Sequence, residues 1–261
     1  MGEGQGVVIV PALYAQVGEA VSFIFQRQPS VSGGTEIGGL GEIGSLTANH
    51  LAISFAAVAI GAAIAMPLGL YLGHVGKGEF AAVGVSNVGR AVPVLALLAF
   101  FIAYTGIGFQ TVILVLILLA IPPILTNSYV GVRQVERDAV DAARGMGLSE
   151  AQIVRQVEFP MALPIIFGAL RLSTINVVAT ATIAPLANFR TLGTPIIEPQ
   201  TYGIPGQVGA AIVIAVLALA LYALLGALQT ALTPKGLKLA AAQAAGARGL
   251  PSFLRRRPQA T

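Results

Sequence analysis

The sequence contains no cysteine and no tryptophan, and only 10% of its 261 residues are charged. Without cysteine there is no disulfide framework and no thiol chemistry. Soluble domains carry about a quarter charged residues, so a chain this poor in charge cannot cover a water-exposed surface. Because 56% of the residues are hydrophobic, the composition predicts an integral membrane protein. The first residues, MGEGQGVVIV, lack a basic segment, so no cleaved signal peptide is predicted.

The sequence also lacks a recognisable catalytic or nucleotide site. Its two histidines, His50 and His74, lie near opposite ends of one apolar run, which does not predict a metal site. The stretch GHVGKGE (73–79) resembles a phosphate-binding loop only faintly, because Tyr71 replaces a required glycine and Gly78 replaces the Ser or Thr. We therefore predict a chain that is not an enzyme and carries no cofactor of its own. The net charge of +4 does not indicate nucleic acid, because the basic residues flank apolar runs.

Five apolar runs predict an all-α, polytopic membrane helix bundle with five core transmembrane helices. They are residues 51–73, 91–104, 111–125, 163–187 and 208–232. None of the five contains Asp or Glu, whereas a secondary transporter coupled to ions is expected to place acids at membrane depth. Pro122 and Pro123 are predicted to end the third run, because proline interrupts helical hydrogen bonding.

The N-terminal region permits two placements. Residues 7–26 are almost long enough to span a membrane, yet polar residues recur at helical spacing on one face: Gln16, Glu19, Ser22 and Gln26. The segment is either an interfacial amphipathic helix, which we favour, or a sixth membrane helix. The Gly/Ser-rich stretch 28–45 predicts a loop. We therefore divide the chain into an N-terminal helix and loop (1–45), a transmembrane permease-like domain (46–232) and a basic cytoplasmic tail (233–261).

The distribution of Lys and Arg predicts the orientation. Four arginines lie in the connection 126–162, basic residues follow position 232, and Lys77 and Arg90 lie in a third connection. All three segments fall on one side if each run spans once, and that side is the cytoplasm. The chain is therefore predicted to cross the membrane several times, with these three segments in the cytoplasm.

Within the runs, two patterns stand out. Small residues recur every fourth position in the first run: Ala57, Gly61, Ala65, Gly69 and Gly73. Such a stripe lets helices approach closely, either inside one subunit, which we favour, or against a partner. Polar or helix-interrupting residues predict a translocation path at Pro93, Asn176, Thr180 and Thr182, with a tilted or kinked helix as the alternative. Arg171 is placed to reach the cytoplasmic headgroups.

Between the third and fourth runs lies a polar segment, DAARGMGLSEAQIVRQVEFP (141–160). Residues Arg137 to Arg144 predict a helix, which Gly145 and Gly147 end because glycine reaches left-handed geometry without strain. Ser149 and Gln152 have the spacing of a capping box for a second helix, which is predicted to run as far as Pro160. This helix–turn–helix predicts a docking element, because it offers an apolar surface among its charges: Ala142, Ala143, Met146, Ile153 and Val157.

The same segment resembles the cytoplasmic motif of permease subunits of bacterial ABC importers, written EAA, three residues, G, nine residues, I, one residue, LP. The matching residues are Asp141, Ala142, Ala143, Gly147, Val157, Phe159 and Pro160. Asp for Glu, Val for Ile and Phe for Leu are conservative departures. The resemblance implies that the segment, taken as 129–162 with its flanks, couples the chain to a cytoplasmic ABC ATPase, on which ATP and Mg would bind.

Residues 46–232 as a whole resemble the osmoprotectant branch of that family, which implies import of glycine betaine, choline, carnitine or proline betaine. The stretch PLANFRTLGTPIIEPQ (185–200) departs from the glycine-rich loop expected there. The resemblance further implies a second permease subunit, the same chain or a related one, an external substrate-binding protein and contact with membrane lipid. The alternatives are an ABC permease for an amino acid or another small solute, or, in a different class, a membrane scaffold or enzyme subunit.

Overall fold

The computed structural model describes residues 6–79, Gly84, Gly89 and 91–233, with side chains from Ala15 onward. The basic tail predicted at 233–261 lies outside the described residues except for Thr233, and Arg90 also lies outside them. The regular secondary structure of the described residues is helical apart from one short hairpin. The principal helices are α1 (Gly6–Phe25), α2 (Gly39–Val75), α3 (Val94–Thr105) and α4 (Phe109–Arg133). After these come α5 (Arg137–Gly145), α6 (Glu150–Ile153), α7 (Phe159–Thr180), α8 (Thr194–Ile197) and α9 (Pro199–Leu232).

Four of the described helical segments are long and apolar enough to cross a membrane: Gly39–Val75, Phe109–Arg133, Glu150–Ala187 and Pro199–Leu232. The second predicted run forms α3, which has only 12 residues and begins at Pro93. These helices confirm an all-α membrane bundle, with four described segments of spanning length where the sequence predicts five.

The first membrane helix begins earlier than predicted. Residues 28–45 do not form one loop, because strands β1 (Arg27–Pro29) and β2 (Glu36–Gly38) pair in an antiparallel hairpin and α2 begins directly after it. Gly38 and Gly39 adopt φ values of 78° and 74°, which suit glycine. The Glu42 carboxylate accepts a hydrogen bond of 2.7 Å from the Gly38 N–H, and this contact stabilises the helix start in a glycine-rich stretch.

The small-residue stripe of α2 packs against α4 in the same chain. A Cβ added to Gly69 would lie 2.6 Å from both the Leu125 carbonyl oxygen and the Ser128 Cβ, and one added to Gly73 would lie 2.7 Å from the Val132 Cβ. The backbones of the two helices therefore approach as closely as small residues permit. The favoured interpretation, packing inside one subunit, is confirmed.

Prolines do not end helices where the sequence predicts. Helix α4 continues through Pro122 and Pro123 to Arg133. Beside this interruption, Asn127 of the same helix donates to the Pro123 oxygen at 2.7 Å, and Ser173 of α7 donates to the Ala120 oxygen at 3.3 Å. A packed bundle can supply a donor such as Ser173, whereas an isolated helix cannot. The prediction that these prolines end the third run is therefore wrong.

The helix that begins at α6 also continues through its predicted end. A π-helical segment, Val154–Glu158, joins α6 to α7, and a 3-10 segment, Ala181–Ala187, extends α7. The Phe159 N–H bonds to the Val154 oxygen, one residue further back than in an α-helix. This wider turn accommodates Pro160, which has no N–H to donate. The prediction that Pro160 separates two elements is wrong, and residues 150–187 form one helical path.

Helix α1 packs mainly against α9. Ala20 and Phe23 are fully buried, and Gly209 of α9 approaches both of them. Residues 15–25 therefore belong to the bundle. Among the described residues, Ala15–Phe25 is an apolar helical stretch shorter than a membrane span.

Candidate functional site

The segment 137–160, here called the coupling segment, folds as a compact helix–turn–helix. Val140 and Ala143 of α5 are buried against Ile153 of α6, and Val157 packs on this cluster from the π-helical segment. Burial of these side chains holds the two short helices against each other. Met146, predicted to belong to an apolar surface, projects outward and is 74% exposed. The segment thus has its own small core and an outward face.

The turn between α5 and α6 has the geometry that its sequence predicts. Gly147 adopts φ +85°, and nothing lies within 4 Å of the position that a Cβ would occupy. The predicted capping box is confirmed, since the Ser149 hydroxyl accepts from the Gln152 N–H and the Gln152 side chain accepts from the Ser149 N–H at 2.8 Å. Glycine and the capping box together fix the direction in which α6 leaves the turn.

The motif residues divide into a surface group and a packed group. Asp141, Ala142 and Gly147 are exposed, whereas Ala143 is buried. Val157 and Phe159 are half-buried and pack into two different apolar clusters, Val157 beside Ile153 and Phe159 beside Val132 and Ile166. The exposed residues can contact a partner. The packed residues hold the segment against the helix bundle.

An ion-pair network crosses the turn. The Arg144 guanidinium donates to both carboxylate oxygens of Glu150, at 2.8 and 2.9 Å, and to Asp141 at 3.0 Å. The hydrogen bond to Glu150 raises the pKa of Arg144. These side chains are exposed, so each pair stabilises the fold only slightly. The bidentate geometry nevertheless fixes the orientation of α5 relative to α6.

The network continues into the membrane domain through His74, in the last turn of α2. Its Nδ1 lies 2.8 Å from the Glu158 carboxylate and its Nε2 lies 3.1 Å from the Glu150 carboxylate. Glu158 is only 1% exposed. The described residues include no group of three or more His, Asp or Glu side chains arranged to hold a metal ion.

Sequence reasoning missed both His74 and Glu158. They are separated by 84 positions, and Glu158 occupies a place that the motif leaves unspecified. A local signal existed only for Glu158, an acid between the apolar residues Val157 and Phe159.

The second candidate region is a cavity of about 360 Å³ between α3, α4 and α7. Its lining residues are Gly89, Val92, Val94, Leu119, Pro122, Pro123, Leu172 and Asn176. Asn176 is exposed and contributes an amide to this otherwise mostly apolar lining. Pro93, which precedes α3, lies between two lining residues. Thr180 and Thr182 are not among the lining residues, and the Thr182 hydroxyl donates to the Ala179 carbonyl of its own helix at 2.8 Å. The cavity thus brings together Asn176 and the Pro93 region but not the two threonines.

Arg171 lies beside a smaller cavity of about 220 Å³ between α7 and α9. Its guanidinium carbon lies 3.3 Å from the centroid of the Tyr222 ring, a cation–π contact. The absence of a side chain at Gly226 leaves room for the guanidinium. Gly226 lies one helical turn after Tyr222, nearer the C-terminal end of α9. The Arg171 side chain therefore extends towards that end of α9, which is the direction that the sequence predicts.

Comparison with known proteins gives a consistent result. Residues 65–237 match a family described as binding-protein-dependent transport system inner membrane component. The carnitine transport permease protein OpuCB of Listeria monocytogenes is 37% identical over 193 residues, which cover 74% of this chain and 88% of that protein. The choline transport system permease protein OpuBB of Bacillus subtilis (strain 168) is 33% identical over 204 residues, covering 76% and 92%.

Among solved structures, the MetNI methionine ABC transporter in an inward-facing form has a chain of similar fold. The TM-score is 0.65 at 23% sequence identity, and the alignment covers 75% of this chain and 98% of that chain. At this identity the likeness establishes the fold of a type I importer permease and carries no information on the solute.

Proposed function

Since this chain belongs to the family of binding-protein-dependent transport system inner membrane components, we propose that it is the permease subunit of an ATP-driven importer for a compatible solute such as choline, carnitine or glycine betaine. The solute class is inferred from sequence identity over about three quarters of the chain. The identity is 33% to a choline permease and 37% to a carnitine permease. The chain is a multi-pass protein of the inner membrane.

Energy for transport reaches the chain through the coupling segment. A separate cytoplasmic ATPase binds ATP and Mg and docks on the outward face formed by Asp141, Ala142 and Met146. Met146 and Asp141 project into solvent, with 74% of Met146 and 70% of the Asp141 side chain exposed. An exposed apolar side chain beside exposed charges is typical of a protein contact surface. The packed residues Val157 and Phe159 transmit the movement of this face to the membrane helices.

The solute crosses beside Asn176, where the cavity between α3, α4 and α7 opens on one side of the chain. A second permease subunit, the same chain or a related one, encloses this path. An external binding protein delivers the solute to the opposite end of the bundle. It also supplies most of the selectivity, because the chain has no tryptophan with which to build a strong aromatic cage for a quaternary ammonium group.

The proposal is tested by uptake into proteoliposomes that contain the chain, its cognate ATPase and its binding protein. We expect ATP-dependent accumulation of labelled choline, carnitine or glycine betaine, competed by the other two, and no accumulation of labelled methionine. Accumulation of methionine or another amino acid would favour the alternative solute class. Absence of ATP-dependent uptake for every solute, with the chain folded and assembled, would overturn the transport hypothesis and favour a scaffold.

A further inference from the structure

The junction between α2 and the coupling segment is built around one histidine. His74 lies in the last turn of α2, where its side chain is only 14% exposed. Each of its ring nitrogens faces a different carboxylate, Glu158 at 2.8 Å and Glu150 at 3.1 Å. Among the described residues, both acids lie on the helical path 150–187. His74 therefore connects α2 to two points of the coupling segment that are eight residues apart.

Both ring nitrogens of this histidine lie within hydrogen-bond distance of a carboxylate oxygen. The imidazole ring is rigid, so the directions of its two nitrogens are fixed and one side chain orients both acids. A carboxylate as buried as Glu158 is costly unless a polar partner contacts it. Among the described residues, His74 is the ion-pair partner of Glu158.

Other charges surround the junction on each side. Arg144 of α5 pairs with Glu150 and with Asp141, and the guanidinium of Arg133, at the end of α4, lies beside Gly76. Glu150 thus already has an arginine partner in solvent, whereas Glu158 has His74. Loss of the imidazole would leave the buried acid without its ion-pair partner and would remove both His74 contacts that join α2 to the segment.

From this geometry we propose that His74 is a positioning residue that locks the coupling segment to the end of α2 through its contacts with Glu158 and Glu150. The inference rests on the proposed function, because the segment acts as a docking element there. Its consequence is that the amount of solute transported per ATP depends on these contacts of His74.

The first test needs neither solute nor ATPase. Because the chain has no cysteine, spin labels can be placed on cysteines introduced at Tyr71 and Met146, both well exposed, in the full chain in nanodiscs. We expect a narrow distance distribution in the native chain. His74→Gln should give a broad one, because its donors lie on a single nitrogen and its amide oxygen is repelled by a second carboxylate. His74→Lys, whose ammonium group offers three donors, should give a narrow distribution again.

The second test measures coupling in the assembled transporter. We expect His74→Gln and Glu158→Gln to retain ATPase association yet to transport at least about fivefold less solute per ATP than the native chain, which is about one kcal/mol of coupling at RT ln 5. Glu36→Gln, which removes an exposed ion pair on the distant hairpin, is the matched control and should behave as the native chain. The His74→Lys variant, which keeps hydrogen-bond donors for Glu158, should restore most of the native ratio.

The outcomes separate the two proposals. Distance distributions that are identical in the native chain and in His74→Gln would overturn the locking role, whatever the transporter carries. Distances that shift as expected, in a chain that shows no uptake of any solute, would support the lock and refute the transport function alone. If His74→Gln fails to insert, Glu158→Gln gives the same comparison, because it removes the buried charge from the other side.

Discussion

Gly147 is the residue on which the turn of the coupling segment depends. Its φ of +85° suits glycine, and the space around it is open, so a side chain there is disfavoured by backbone strain of about 1–2 kcal/mol rather than by a clash. We expect Gly147→Val, whose branched side chain adds to that strain, to insert normally yet to lose most solute-stimulated ATPase activity and to bind the ATPase weakly. Pull-down of the ATPase and assays in proteoliposomes measure both effects.

Gly145 provides the matched control, because it ends α5 with a helical backbone and also has nothing within 4 Å of its missing Cβ. Gly145→Ala should retain full activity. Gly147→Asn should fall between the two, since Asn tolerates the left-handed region better than Val. Full transport and full ATPase retention in Gly147→Val would show that the turn has no docking role.

Asn176 places a polar amide in the cavity between α3, α4 and α7. We expect Asn176→Leu to assemble normally but to reduce solute uptake by about tenfold, because removing one amide hydrogen bond from a polar path costs roughly 1–1.5 kcal/mol. Thr182→Val is the control, since the Thr182 hydroxyl bonds within its own helix and does not line the cavity. The two variants are compared by their initial uptake rates at several solute concentrations. If Asn176→Leu took up solute at the native rate, Asn176 would have only a packing role.

Which residues the sequence could reveal depends on how local their signals are. The left-handed glycine at 147 and the capping box of Ser149 and Gln152 arise from neighbours in the chain, and both are confirmed. The contact between His74 and Glu158 joins residues 84 positions apart. Neither has a partner at helical spacing that would indicate the pair, so only the folded arrangement of α2 against the π-helical segment reveals it.

At the scale of elements, the contact between α2 and α4 limits what the chain tolerates. A Cβ at Gly69 would lie 2.6 Å from the Leu125 carbonyl oxygen, so Gly69→Ala forces the two backbones apart. Overpacking of this kind is expected to reduce the free energy of unfolding by about 1–3 kcal/mol. Thermal unfolding in detergent, followed by size-exclusion chromatography after heating, should show a lower midpoint than in the native chain.

Gly44 lies on the same helix, and nothing approaches its missing Cβ within 4 Å. Gly44→Ala should therefore be neutral or slightly stabilising, because alanine favours a helix more than glycine does. Equal unfolding midpoints for Gly69→Ala and Gly44→Ala would mean that α2 and α4 do not approach each other as closely as the structure indicates.

The existence of the membrane helices was predictable, whereas several of their ends were not. Apolar runs of spanning length locate α2, α4 and α9 without reference to neighbours. The helix ends depend on contacts: Glu42 stabilises a start within a glycine-rich stretch, and the π-helical turn carries the chain through Pro160. Local rules for glycine and proline describe an isolated segment, so they fail where another part of the bundle provides the missing interaction.

For the whole molecule, the arginine-rich segments predict which end faces the cytoplasm. Gln134, between α4 and the coupling segment, is exposed and should lie inside the cell. Because the native chain lacks cysteine, a single Gln134→Cys variant reports only that position. We expect it to react with an impermeant thiol reagent after permeabilisation but not in intact cells.

Val31, at the turn of the β1–β2 hairpin, is 70% exposed and serves as the opposite reporter. It lies next to the end of the bundle where α9 begins, since its N–H bonds to the Thr201 carbonyl at 3.0 Å. Val31→Cys should react in intact spheroplasts. The reverse pattern, with Gln134→Cys labelled from outside, would invert the orientation and place the coupling segment away from any cytoplasmic ATPase.

The unbroken helical path Glu150–Ala187 has a geometric consequence for how the two sides of the membrane communicate. Its 38 residues span about 55 Å, so a tilt of about 5° around its midpoint moves each end by about 2.5 Å. The two ends necessarily move in opposite directions. A push on the cytoplasmic end that swings it towards the axis of the transporter therefore swings the far end away from that axis. Closing on one side and opening on the other become two aspects of a single rotation, without any signal having to pass along the chain.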